Sequence, residues 1–236
     1  MARPRKFDET RALTAAMNAF WRQGYEATST RDLTDCTGLG QSSLYNTFGD
    51  KRQLYLRTLR RYYETNTEEQ AVLLDRPGPV KERLRAWMVQ AIDADLSGPD
   101  ASGCFVINAS VEKADGDPDV KEEVLRHFTA VEEALRGAVA QGQRTGEIDP
   151  ERDAGTLARQ VLSTYYGLRL LARIHGDRGA LLDVVDSALD VLQRHRSATT
   201  WPSRTGPSRG MAEKPRFRGP AADPNFRRTP QKMTRT

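Results

Sequence analysis

Gln41, Ser42, Ser43, Tyr45 and Asn46 fall within six residues, and Lys51 follows five positions later. Gln41, Ser42, Tyr45 and Asn46 sit at i, i+1, i+4 and i+5, which on a helix is one polar stripe. Short hydroxyls and amides near a helix N-terminus suit the base edges and phosphates of a duplex, because they reach without the steric demand of long chains. Lys51 falls in the first turn of the next predicted helix, where its charge and the free backbone N–H groups both attract a phosphate. Thr28, Ser29 and Thr30 open the preceding helix and offer the same geometry on the other side.

Other chemistry finds little support. The two cysteines, Cys36 and Cys104, have no paired spacing, and His127, His175 and His195 are scattered among predicted helices, so no metal site or cofactor is expected. The chain has no nucleophile elbow, P-loop, zinc-protease helix or dinucleotide fingerprint, and Gly38-Leu39-Gly40 is too short to cradle a phosphate; an enzyme is not expected. Charge is divided into blocks. Residues 1–62 hold 11 Lys/Arg against 6 Asp/Glu (+5), 63–200 hold 16 against 24 (−8), and 201–236 hold 9 against 2 (+7). A basic head on an acidic body fits a polyanion partner for the head alone, and equally an ordinary basic solvated face. No run of eighteen apolar residues occurs, and the basic N-terminus passes into a polar-interrupted helix instead of a signal-peptide core, so a soluble cytoplasmic protein without membrane contact is expected.

The elements that position these residues are all helical, because apolar residues recur at helical spacing and strand-like alternation is nearly absent. Leu13, Ala16, Met17, Phe20 and Trp21 form the stripe of a first helix, with Asp8 as N-cap and Gly24 as stop. Ser29 and Asp32 make a capping-box-like pair for a second helix that ends before Gly38. A short helix over 41–47 closes at Gly49, and a fourth opens at Asp50 and runs to about Leu74, where Pro77-Gly78-Pro79 breaks it. Leu33, Cys36, Leu39, Leu44 and Phe48 are expected to face the first helix, with Cys36 a buried thiol. Further helices are predicted at about 80–96, 103–114, 118–143, 151–175 and 178–196. Residues 201–236 hold six of the twelve prolines and no apolar period, so 197–236 reads as a disordered basic tail.

Three short helices with a glycine between the second and third have the layout of a helix-turn-helix unit. Beyond layout, STRDLTDCTGLGQSSLYNTFGDKRQLY, preceded by Phe20-Trp21-Arg22-Gln23-Gly24-Tyr25, resembles the N-terminal signature of TetR/AcrR-family transcriptional regulators; its last phrase here is Leu44, Tyr45, Phe48, Lys51 and Leu54. The match spans about residues 6–66. It implies an all-α homodimer with a helix-turn-helix DNA-binding domain at 6–66 and a ligand-sensing and dimerisation domain at 67–196. Such a protein is a repressor that leaves a pseudo-palindromic double-stranded operator when a small-molecule inducer enters the body. Carried over by position, Thr28 and Thr30 would meet backbone, Gln41, Ser42, Ser43 and Asn46 the groove, and Tyr45 and Lys51 phosphates. Gly40-Gln41-Ser42-Ser43 departs from the commoner Ser-x-Gly-Thr form, so base preference does not carry over.

In the body, Leu157, Val161, Leu162, Tyr165 and Leu168, with Leu181, Val184, Val185, Ala188, Leu189 and Leu192, leave wide stripes that serve either core or a two-fold interface; the resemblance favours the interface. Trp87, Met88, Phe105, Asn108, His127, Phe128 and Tyr166 are candidate ligand contacts, or core at the same spacing. Cys104 follows Gly103 near a helix start, where the dipole would activate a partly exposed thiol. Its phrase resembles that of a subset of the family including the electrophile-sensing regulator NemR, which implies Cys104 as a further ligand-site candidate and an electrophilic inducer; a packing role for Cys104 is the other reading, since Gly-Cys before a large apolar residue also occurs where the cysteine only packs. The rival to a DNA-binding regulator is a helical protein- or lipid-interaction module without specific DNA binding.

Overall fold

The computed structural model describes residues 8–97 and 102–193, and the predicted tail at 197–236 lies outside them. All regular structure among the described residues is helical. The first helix, α1 (Glu9–Gln23), starts where Asp8 accepts from the Arg11 N–H, and stops at Gly24, whose φ of 84° a side chain would resist. α2 (Thr30–Thr37) opens on a complete capping box between Ser29 and Asp32 and ends at left-handed Gly38. α3 (Gln41–Phe48) follows a three-residue turn with no side-chain cap at Gly40. Asp50 then caps α4 (Lys51–Tyr62) by accepting from the Gln53 N–H at 2.8 Å.

The fourth helix was expected to continue unbroken to Leu74. Instead, one π-helical turn (Tyr63–Thr67) joins α4 to α5 (Glu68–Leu74). No glycine or proline announces this turn, and it places Thr67 inward, hydrogen-bonded at 2.6 Å to His127 Nδ1. The body continues with α6 (Val80–Leu96), α7 (Phe105–Glu112), α8 (Pro118–Thr145), α9 (Ala154–His175) and α10 (Arg178–Asp190). Asp117, Asp153 and Asp177 cap α8, α9 and α10, and Pro118 occupies the first position of α8, where no N–H is needed.

Two hydrophobic clusters form, and they do not divide at residue 67. One joins α5, α6, α9, α10 and the middle of α8. The other contains Phe20, Leu33, Leu44, Phe48 and Tyr55 from the head together with Phe105, Ala109, Val120 and Val124 from α7 and the start of α8. The head therefore completes its core with body residues, and the described residues form one compact unit. Phe105 lies edge-on to Tyr55 and Tyr62 at 5.7 Å each, in an aromatic cluster with Trp21. Cys36, expected inside, is exposed, with its thiol donating to Leu33 O at 3.5 Å; Leu33 alone fills that side of α2.

Candidate nucleic-acid interface and cavity

α3 is anchored through Leu44 and Phe48, both wholly buried, so the rest of its surface faces outward. Gln41, Ser42, Ser43 and Asn46 are exposed together on it. Tyr45 is half-buried, and its hydroxyl lies 2.7 Å from Thr30 Oγ1, tying α3 to the start of α2. Lys51 sits on the first residue of α4, donating to Glu26 O at 3.4 Å, with Nζ 4.5 Å from the centre of the Tyr25 ring. Two of the outer predictions change. Thr28 is wholly buried and donates to Gly24 O at 2.6 Å, because it closes the α1–α2 turn; its side chain is not available to a phosphate. Ser29 is exposed, but its hydroxyl is engaged in the capping box, at 2.6 Å from Asp32 Oδ2.

Basic residues of α4 are paired with acidic ones. Arg52 makes a bidentate contact with Asp117 at 2.7 Å and reaches Asp119 at 2.6 Å, while Arg60 meets Glu123 at 2.6 Å. Glu112, the last residue of α7, accepts from the backbone N–H groups of Tyr25 and Glu26 at 2.9 and 2.8 Å. These head-to-body contacts join residues more than sixty positions apart in the chain, beyond the reach of any periodicity.

A half-open cavity of about 380 Å³ is bordered by α1, the end of α4, the π turn, α5, α6 and α9. Trp87 is the predicted ligand residue that lines it. Met88, Cys104, Phe105 and His127 are buried in the cores, and Asn108 bridges Ser102 O and Arg173. Phe128 and Tyr166 pack edge to face on each other at 5.0 Å, away from the lining. Cys104 is 3% exposed, its sulfur 3.7 Å from the Tyr62 hydroxyl, so the accessible thiol that electrophile sensing presumed is not formed. Burial, and after it the Arg169 charge, pulls the His127 pKa down to about 4.

The cavity's own polar groups were missed. Asp95 and Arg169 form a buried bidentate pair, with both bonds at 2.7 Å. Tyr165, one residue before the predicted Tyr166, stacks on Trp87 with ring centres 3.8 Å apart, and burial pushes its phenol up to about 12. Gln70 Oε1 accepts from Trp87 Nε1 at 3.3 Å and from the Tyr165 hydroxyl at 3.4 Å. The signals available were an Asp and an Arg at inward helical positions of α6 and α9, but nothing local paired them. Asn18, Trp21 and Arg22 of α1 also border the cavity, so it touches the head as well as the body. Among the described residues no helix is long and apolar enough to cross a membrane, and no cluster of potential metal ligands occurs.

The predicted interface stripes also change. Leu157, Val161, Leu162, Tyr165 and Leu168 on α9, and Leu181, Val185, Leu189 and Leu192, are buried within the subunit. The apolar residues left exposed on this pair are Leu170, Leu171 and Ile174 on α9 and Val184 on α10.

An exposed polar α3 on a helix-turn-helix is the arrangement of a DNA-binding regulator. Residues 12–58 match the model of bacterial regulatory proteins of the tetR family, and 80–188 match the tetracyclin repressor-like C-terminal domain. The chain is 32% identical over 193 residues to an uncharacterized HTH-type transcriptional regulator, YezE, of Bacillus subtilis, covering 81% of this chain and all of that protein. It is 29% identical over 188 residues to the HTH-type transcriptional repressor ComR of Escherichia coli, covering 79% of this chain and 90% of the relative. Among solved structures, a cysteine-substituted TetR-family regulator, CifR, complexed with 26-bp double-strand operator DNA, superposes with a TM-score of 0.72 at 26% identity, covering 81% of this chain and all of that one. The chain belongs to the TetR family of transcriptional regulators.

Proposed function

We propose that this regulator is a homodimeric repressor that binds a pseudo-palindromic operator through α3 and releases it when a small molecule occupies the cavity. The observation that carries the DNA contact is the placement of Gln41, Ser42, Ser43 and Asn46 on the open face of a helix whose other face is locked by Leu44 and Phe48. In this reading those four meet the groove, while Tyr45 and Thr30, hydrogen-bonded to each other, and Lys51 meet phosphates. Repression is supported by the likeness to the transcriptional repressor ComR, and the operator by the CifR complex. Dimerisation is assigned to the exposed apolar residues of α9 and α10, which a second copy would cover. Release follows from a cavity bordered by both α1 and α9, because filling it biases the head's position relative to the dimer axis.

Selection of bound sites from random duplexes with the full chain tests this reading. The expected outcome is a sequence with two-fold symmetry whose affinity falls steeply with salt. Enrichment of no sequence, with binding to acidic proteins or anionic vesicles instead, would favour an interaction module.

A further inference from the structure

The cavity's buried wall specifies the kind of molecule that fits it. An indole N–H only donates, so the Gln70 atom facing Trp87 Nε1 is the carbonyl oxygen, and the Tyr165 hydroxyl donates to the same oxygen. The Gln70 amide is thereby fixed, and its Nε2, with two donors, has no partner among the described residues of a side chain that lines the cavity. Charge is otherwise balanced: Asp95 and Arg169 satisfy each other bidentately, and the remaining Arg169 nitrogen, Nη1, lies 3.5 Å from the Tyr165 hydroxyl. Arg22 and Glu69 border the cavity from exposed positions. A carboxylate or ammonium placed at the inner wall beside Asp95 and Arg169 would give up hydration there and find no countercharge unless it split that pair, since Arg22 and Glu69 stand at the cavity's exposed border. Aromatic surface is plentiful in Trp21, Tyr62, Trp87 and Tyr165.

We propose that the cavity binds an uncharged aromatic compound carrying a hydrogen-bond acceptor, such as a carbonyl, which Gln70 Nε2 holds while the rings of Trp87 and its neighbours pack on the flat part. The proposal rests on the reading that this cavity is the effector site. It makes Gln70 the residue that distinguishes an acceptor-bearing ligand from a plain hydrocarbon of the same shape, because the latter leaves a donor unpaired.

The test is calorimetric titration of the full chain, without DNA, with four probes of one shape: 2-acetylnaphthalene, 2-ethylnaphthalene, 2-naphthoate and 2-naphthylmethylammonium. The ketone is expected to bind saturably and at least tenfold more tightly than each of the others. Gln70→Glu keeps an acceptor for Trp87 and Tyr165 but removes the donor, so it is expected to erase the ketone's advantage over the hydrocarbon. A charged probe matching the ketone, a hydrocarbon matching it, or no binding by any probe overturns the proposal, and so does a Gln70→Glu variant that keeps the preference. If that variant does not fold, the ranking of the four probes on the unaltered chain still decides. A separate titration of operator DNA with and without bound ketone tests the effector reading: tight ketone binding that leaves operator affinity unchanged contradicts that reading and spares the ligand class.

Discussion

The open face of α3 and the inner wall of the cavity are both polar, yet they are built in opposite ways. Gln41, Ser42, Ser43 and Asn46 stand in solvent, anchored only through the backbone of a helix fixed by Leu44 and Phe48. Gln70, Asp95, Tyr165 and Arg169 are knitted to one another between α5, α6 and α9. Side chains that water already satisfies can exchange partners at little cost, which suits a surface meeting DNA. A largely buried network whose members pair with one another, with only the Gln70 amide nitrogen left over, is stable only as a whole, which suits the wall of a pocket. Mutations should therefore act on folding at the cavity wall and on binding at α3.

The largest effect is expected for Asp95→Ala, which leaves the Arg169 guanidinium buried without its partner and should cost about 3–5 kcal/mol in urea unfolding. A loss below about 1 kcal/mol would break the contrast, since it would mean that water reaches the pair. Next comes His127, neutral in the core. Its pKa is lowered from 6.5 to about 4 on folding, so the unfolded chain binds the proton more readily. Stability from this group is complete above pH 6.5 and is lost as pH falls toward 4, by about 2 kcal/mol between pH 7 and 4.5. Replacing it by Gln should flatten the pH dependence of unfolding in that window by this amount.

A smaller effect sharpens the account of α9. Ile174→Glu, on the exposed apolar side, should weaken self-association at least about tenfold in sedimentation, about 1.4 kcal/mol, without altering helicity. The smallest change in stability is expected at α3, where Asn46→Ala and Gln41→Ala should leave unfolding within about 0.5 kcal/mol of the parent.

How much the sequence foretold follows the same division. Caps at Asp8, Ser29 and Asp50 and stops at Gly24, Gly38 and Gly49 are local chemistry, and each was readable from a few neighbouring residues. The polar face of α3 was readable too, because Leu44 and Phe48 fix which side is inward. The cavity was not. Tyr165 and Tyr166 differ by about 100° around α9, and only the position of Trp87 on α6 decides which one lines it. Asp95 and Arg169 are 74 residues apart, and Glu112 meets a turn more than eighty residues away, so neither pairing leaves a trace in spacing. Wide stripes on α9 and α10 told of burial but not of what buries them, and most of those residues proved to be internal core.

The central claim, that α3 reads sequence while the residues around it hold phosphates, is tested most directly by fluorescence anisotropy on a selected operator and a set of single-base variants of it. For Asn46→Ala the account predicts loss of discrimination at one or two base pairs, worth about 1–3 kcal/mol each, with an unchanged salt slope. Equal weakening on every duplex, or a lowered salt slope, would contradict it.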